Sequence, residues 1–327
     1  MSSREDKVGV AVVGCGHWGQ NLVRNFSQLG ALSAVVDADM QQAARLAAEY
    51  GVSALTLDAA LADDRIHAIA TAVPAALHHD VALRAIHAGK HVFVEKPIAL
   101  SLEDGEDIQA QAILHDRVLM VGHLLQYHPA YLKMQELIAA DHIGELRHVY
   151  SNRLSMGRLR QEEDVVWSFA PHDISMILGL AAGNAPSEVL AHGCSLVSDE
   201  GRADAAHVHM RFCSGLRAHV FVSWLHPFKE QKLVAIGERG CLVFDDTKPW
   251  DEKLVCTDYS SPGGVSLQKG GVTSISLQPA EPLQEECRHF LQSVALKSVP
   301  RTDGFEALAV LRVLKRAELA LREGVAA

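Results

Sequence analysis

Between Lys7 and about Gly122 the chain repeats one beat: a short apolar run, a turn, and then a helical pattern. The runs read "KVGVAVVG", "LSAVVD", "HAIATAV", "KHVFVEK" and "RVLMVG". Runs this short and this continuously apolar are strands buried on both faces, and both faces are covered when each strand is followed by a helix that crosses back over the sheet. Successive crossovers of that kind build a parallel sheet with one hand of connection. The intervening segments agree: "DADMQQAARLAAEYG" starts on an aspartate and stops at Gly51, and "HHDVALRAIHAG" stops at Gly89, where glycine permits the left-handed turn that ends a helix.

After a proline-led helix, "PAYLKMQELIAA", the texture changes. From Glu145 to about Gln278, strand-like runs are joined by tight turns: "AHVHMRF" and "LRAHVFVSWL" by "CSG", then "QKLVAIG" and "CLVFDD" by "ERG". This is the pattern of antiparallel hairpins. One helix, starting at "PHDISMILGLAAG", is inserted before them, and "GFEALAVLRVLKRAELALREG" closes the chain behind Asp303 as a cap. The expected fold class is α/β plus α+β: a doubly wound parallel sheet over 1–124, then an open antiparallel sheet with helices on one face over 125–300. A last helix over 301–327 packs back between the domains. In "LRAHVFVSWL", Val220, Val222 and Trp224 fill one face and Phe221 and Leu225 the other. A strand apolar on both sides is covered on both, so a homodimer or homotetramer through this sheet is expected.

Composition narrows the partners. With 30 Lys and Arg against 40 Asp and Glu, the net charge of −10 provides no basic field for nucleic acid or an anionic membrane. Any anion must be held locally. The six cysteines include no CxxC pair and no metal-type spacing, which fits reduced thiols, a cytoplasmic protein and no metal. No apolar run approaches the roughly 18 to 20 residues of a membrane span, and the polar start "MSSREDK" is no export signal.

The first strand runs into "GCGHWG", with Gly14, Gly16 and Gly19 in the GxGxxG spacing and His17 and Trp18 inside the loop. Gly14 serves the tight turn, Gly16 lets a pyrophosphate approach the backbone, and Gly19 lets the following helix pack closely. The N-terminus of that helix offers a positive dipole end. A second strand ends at Asp37, 18 residues beyond Gly19, where a carboxylate accepts hydrogen bonds from an adenosine ribose. The residues after Asp37 are Ala38 and Asp39, with no adjacent arginine to meet a 2′-phosphate, so the expected cofactor is NAD in a Rossmann domain.

The stretches "GKHVFVEKPIAL", "VGHLLQYHPA", "PHDISMIL" and "DGFEALAVLRVLKRAEL", in this order behind the glycine loop, resemble the Gfo/Idh/MocA family of oxidoreductases across nearly the whole chain. The resemblance implies an active site in the cleft between the two domains. It gives Lys96 the role of catalytic lysine, within an EKP motif completed by Glu95 and by Pro97, whose bond to Lys96 is often cis in such proteins. It gives His172 the role of catalytic histidine. Ala72, Val73, Pro74, His78 and Gln126 fall where the family lines its cofactor, although Gln126 replaces a common arginine. Tyr127 and His128 are candidates for the substrate cleft. An unperturbed imidazole, with a pKa of about 6.5, is mostly neutral at pH 7, so His172 is expected to take the hydroxyl proton while Lys96 donates to the oxygen. The reverse assignment stays open. In the inositol-dehydrogenase branch an aspartate stands one helical turn before the histidine; here that position is Ser168, and Asp173 is the substitute if it faces the cleft.

The segment before the histidine carries Arg153, Arg158 and Arg160 in an otherwise acidic chain. Arginine forks suit a diphosphate, and this segment resembles the branch that oxidises nucleotide sugars. The resemblance implies a UDP-sugar, UDP-N-acetylglucosamine, oxidised at its C3 hydroxyl to a ketone. A PLP aminotransferase would then use that ketone for lipid A or other surface amino sugars. The uronate form of the sugar, inositol or free sugars, and a non-enzymatic NAD-binding regulator remain the alternatives.

Overall fold

The computed structural model describes residues 8–156, 159, 163–198, 202–260, 266 and 268–324. The chain divides into two compact units, 1–124 with 281–311 and 125–280 with 312–327.

The first unit is built on strands β1 (Val10–Val13), β2 (Leu32–Val36), β3 (Ser53–Ala54), β4 (Ala68–Thr71), β5 (His91–Val94) and β6 (Leu119–Val121). They lie in the order β3-β2-β1-β4-β5-β6, every pair parallel. Helices α1 (Gly19–Gln28), α2 (Met40–Tyr50), α3 (Leu57–Ala62), α4 (His78–His87) and α5 (Leu102–Leu114) make the crossovers. Strands β1, β4, β5 and β6 are buried at every position, as continuous apolar runs require. The chain leaves β1 toward β2 on one side and returns to β4 on the other, so the strand order reverses between β1 and β4. Doubly wound sheets hold ligands at such a point.

In the second unit, α6 (Pro129–Ala139) leads into β7 (Leu146–Met156), α7 (Val165–Leu180) and strands β8 (Glu188–Cys194), β9 (Ala205–Arg211), β10 (Arg217–Ser223), β11 (Leu225–Gly237), β12 (Gly240–Asp245), β13 (Leu254–Ser260) and β14 (Gln268–Ser274). The order is β14-β13-β12-β11-β7-β10-β9-β8. Six of the seven neighbouring pairs are antiparallel, but β7 and β10 run parallel, from Arg217 opposite His148 to Ser223 opposite Leu154. That pair is joined through α7, β8 and β9, a connection that turn spacing does not reveal.

Two boundaries differ from the sequence reading. Segment 281–311 belongs to the first unit, through α8 (Pro282–Leu296). Phe290 of α8 meets Phe93 and Phe26 edge-on at 5.7 and 6.4 Å between ring centroids, and Thr302 exchanges hydrogen bonds with Val121 on β6. The closing helix α9 (Gly304–Gly324) is divided between the units. Helix α7 also begins earlier than its proline suggests: Asp164 caps it, accepting from Trp167 N at 3.0 Å, and Pro171 lies inside it.

Candidate active site

The loop after β1 explains its glycines by contact. Gly14 has φ +88°, and a Cβ there would sit 2.8 Å from the backbone at Ala72 and Val73. A Cβ on Gly19 would collide with the Gly14 carbonyl oxygen, whereas one on Gly16 meets nothing within 4 Å. So Gly14 and Gly19 bring the ends of β1 and β4 together, and Gly16, exposed with His17 and Trp18, leaves the approach open. No side chain caps α1, and its first turn carries no acid, unlike α3, α4 and α5. The dipole end is therefore left for an outside anion. Asp37 accepts from Cys15 N at 2.5 Å and Asp39 N at 2.8 Å, which ties the ribose-side carboxylate to the phosphate loop. The residues present fit a dinucleotide: unblocked backbone for its pyrophosphate and a carboxylate at the end of β2 for its ribose.

Beyond β5 come Glu95, the half-buried Lys96 and Pro97, with the Lys96–Pro97 peptide cis. Glu95 is buried; it accepts from the Trp18 indole N–H and, at 3.2 Å, from the Lys96 N–H. Burial pushes its carboxyl up to about 7 against the pull of those donors and of the Lys96 charge. Gly122 makes the space, since a Cβ there would lie 2.8 Å from Glu95 Oε2. Glu286 of α8 was not foreseen. It is wholly buried, with neither carboxylate oxygen hydrogen-bonded, and burial followed by repulsion from Glu95 raises its pKa well above the usual range. Burial without a partner therefore favours the neutral form of this acid. Its place on the helix is legible afterwards, because Leu283, Glu286, Cys287, Phe290 and Val294 repeat at helical spacing and all are buried.

Several sequence candidates have other work. His78 is 1% exposed, with Nδ1 2.8 Å from the Pro97 carbonyl and Nε2 3.0 Å from the Val73 carbonyl. It lies between the loop after β4 and the lysine turn; burial lowers its pKa, and the neutral ring, with one N–H to give, donates to one of the two carbonyls and packs against the other. Ala72 and Val73 are half-buried and Pro74 exposed at the same strand end.

In the second unit Gln126 is 3% exposed, and its amide donates to Ser175 O at 2.9 Å and Ser175 Oγ at 3.1 Å. It fastens the chain to α7 through these two bonds. Tyr127 is buried, and so is His128, which caps α6 by accepting from Ala130 N and stacks on Trp250. Both side chains are packed within the turn entering α6.

His172 is half-buried on α7 while Ala170, Pro171, Asp173 and Ile174 around it are buried. Ser168 is one turn earlier on the same face. Asp173 is 1% exposed and points at β7, where it accepts from Arg153 Nε at 2.6 Å, Arg153 Nη2 at 3.1 Å and Ser151 Oγ at 2.5 Å. Asp173 is thus turned to β7 and paired with the Arg153 fork, so two side chains expected at the substrate meet each other. Arg158 and Arg160 lie outside the described residues.

A glycine loop open at a helix N-terminus, a carboxylate at the end of β2 and a lysine at the end of β5 define a dinucleotide-dependent oxidoreductase. The comparisons place it further. Residues 8–123 match the family profile described as "Oxidoreductase family, NAD-binding Rossmann fold", and 131–243 match the GFO/IDH/MocA C-terminal domain. The chain belongs to the Gfo/Idh/MocA family, and its cofactor is NAD.

Among its relatives, UDP-N-acetylglucosamine 3-dehydrogenase of Acidithiobacillus ferrooxidans is 27% identical over 95% of this chain and 96% of that one. Its solved structure superposes with a TM-score of 0.84, at 25% identity over 97% and 98% of the two chains. The scyllo-inositol 2-dehydrogenase (NAD+) of Bacillus subtilis is 27% identical over 73% and 74%. GenD2 from gentamicin A biosynthesis, solved in complex with NAD, shares the fold at TM-score 0.82 and 24% identity, over 97% and 95% of the chains. No helix among the described residues is long and apolar enough to cross a membrane.

Proposed function

We propose that the chain oxidises the C3 hydroxyl of UDP-N-acetylglucosamine to the 3-ketone with NAD, and that a PLP aminotransferase consumes the ketone. The observation that carries this reading is the similarity to the Acidithiobacillus enzyme across almost the full length of both chains. When bound, NAD accepts the hydride. The chain's own residues supply the rest: Gly14, Gly16, Gly19 and Asp37 hold the dinucleotide, His172 takes the hydroxyl proton, and the Lys96 ammonium donates to the oxygen as charge develops there. With Arg153 committed to Asp173, the diphosphate must be met by other groups. Copies of the chain associate through the sheet face where Phe221 stacks on His207 and Tyr150 on His219, a surface of aromatic rings in partial contact with solvent. Oxidation of inositol is the second reading, supported by the Bacillus relative.

The test is to incubate the protein with NAD and UDP-N-acetylglucosamine, follow reduced cofactor, and pull the ketone with a 3-aminotransferase and glutamate. A 3-amino product is expected, and Lys96→Ala and His172→Ala should each lose turnover while still binding NAD. Turnover of scyllo-inositol with no UDP-sugar product would select the second reading. Near wild-type rates in either variant would remove that residue from the chemistry.

A further inference from the structure

Three side chains with metal-binding chemistry converge in the second unit although 114 residues separate the first from the second, which is why no spacing motif announces them. His142 sits in the turn between α6 and β7. Cys256 and Asp258 alternate along β13, so both side chains leave the same face of that strand. An imidazole nitrogen, the thiol sulfur and a carboxylate oxygen all lie within 4.8 Å of one another, with Cys256 Sγ 3.8 Å from Asp258 Oδ1. We propose that His142, Cys256 and Asp258 form a binding site for one Zn2+ ion, or a similar borderline divalent cation, that staples the α6–β7 turn to the sheet.

The donor set selects the ion. Thiolate, imidazole and carboxylate are the three side-chain ligands zinc takes, at roughly 2.0 to 2.3 Å, and tetrahedral bonds of that length put ligand atoms about 3.3 to 3.8 Å apart. Contraction from 4.8 Å therefore asks for about 1 Å of movement, within reach of rotamer changes at exposed side chains. His142 and Asp258 are exposed, while Cys256 is buried. Magnesium and calcium are disfavoured, because they demand more oxygen ligands and bind sulfur poorly.

The backbone under these ligands is already set. Strand β13 is hydrogen-bonded on both sides, to β12 and β14, and the turn is closed by His142 N donating to Leu137 O at 3.0 Å. Gly240 pairs with Asp258 across β12 and β13, and a Cβ there would press on the Thr257 carbonyl oxygen at 2.9 Å, so the two strands approach closely beneath the ligands. The nearby Arg239 guanidinium is engaged by Asp141, at 2.8 Å to Oδ2, so its charge is locally offset. Binding replaces the thiol proton, which leaves to solvent, and a water completes the fourth position on the exposed side.

The full-length protein, freed of metal with a chelator, is titrated with Zn2+ by calorimetry and with Co2+ by absorption. One equivalent is expected to bind at micromolar or lower metal, and Co2+ should give a thiolate-to-metal charge-transfer band with the intense visible bands of a four-coordinate ion. His142→Ala and Asp258→Asn, changes at exposed positions, should each weaken Zn2+ binding roughly tenfold or more. Cys256→Ser should abolish the charge-transfer band. A Cys194→Ser/Cys213→Ser double variant, removing the exposed thiols, should change neither readout. The proposal is overturned by the absence of one-to-one binding, by a charge-transfer band that survives Cys256→Ser, or by Zn2+ affinity unmoved in His142→Ala. If Cys256→Ser fails to fold, the two exposed variants decide alone. None of these outcomes depends on the identity of the enzyme's substrate.

Discussion

Replacing Asp173 by alanine removes the anion from a pair that is almost out of water: Asp173 is 1% exposed and the Arg153 side chain 13%. Two charge-assisted bonds from the guanidinium and one hydroxyl bond from Ser151 are lost together. Breaking a buried pair from one side costs about 3 to 5 kcal/mol, because the remaining charge stays buried. The partial exposure of Arg153 puts the expected loss near the lower end, about 3 kcal/mol. For a unit of this size that is a fall in melting temperature of roughly 6 to 12 °C. Asp173→Asn keeps one acceptor and should lose about half as much.

The assay is urea unfolding with two probes: tryptophan fluorescence, dominated by the second unit through Trp167, Trp224 and Trp250, and retention of NAD binding for the first. The first transition should move to lower urea with little change in slope. The double variant Arg153→Met/Asp173→Leu should recover most of the loss, since an apolar pair leaves no buried charge. An Asp173→Ala protein within about 0.5 kcal/mol of wild type, the range of ordinary surface changes, would refute the reasoning. Activity should fall with stability, because the adjacent His172 takes its direction from the same turn of α7.

Gly16→Ala should leave the melting temperature within about 1 °C of wild type yet weaken NAD binding at least about tenfold, because its new methyl meets only the ligand's space; Gly19→Ala, driven into the Gly14 carbonyl, should lower both stability and binding, and calorimetry with thermal melts separates the two. Glu95 has a folded pKa of about 7 against 4.5 for the free group. The folded state thus holds its proton longer, and the first unit should lose stability as pH rises from about 4.5 through 7, by up to about 3 kcal/mol. Glu95→Gln should flatten that part of the stability profile, and an unchanged profile would contradict the assignment. Glu286→Met, which exchanges a buried acid without hydrogen bonds for an apolar chain of similar size, should stabilise the first unit by about 1 to 3 kcal/mol with NAD affinity intact; a lower unfolding midpoint would show that the acid is needed.

What could be read from the sequence was local. Continuous apolar runs located the parallel strands, because burial on both faces leaves no room for polar alternation, and the glycine loop is a contiguous motif whose steric demands are met within a few residues. What could not be read was pairing between distant positions. Arg153 and Asp173 both carried functional expectations, and only the packing of α7 on β7 joins them to each other. The parallel pairing of β7 and β10 depends on a connection through three intervening elements. Gln126, Tyr127 and His128 lie in a short turn without a period of its own, so nothing in the sequence distinguished an inward face from an outward one. Pro171 suggested a helix start because proline favours first turns, but Asp164, an equally good cap, stands one residue ahead of the true start.

The placement of His78 bears on redesign. With one buried ring lodged between the carbonyls of Val73 and Pro97, the loop that adjoins the phosphate turn and the turn that carries Lys96 are packed on a common side chain. Libraries that randomise positions 73–78 to alter cofactor preference would also misaim the lysine, and their losses in turnover would be misread as poor cofactor binding. Diversity intended for a new substrate is better placed on the second unit, leaving the imidazole and both of its carbonyl partners untouched.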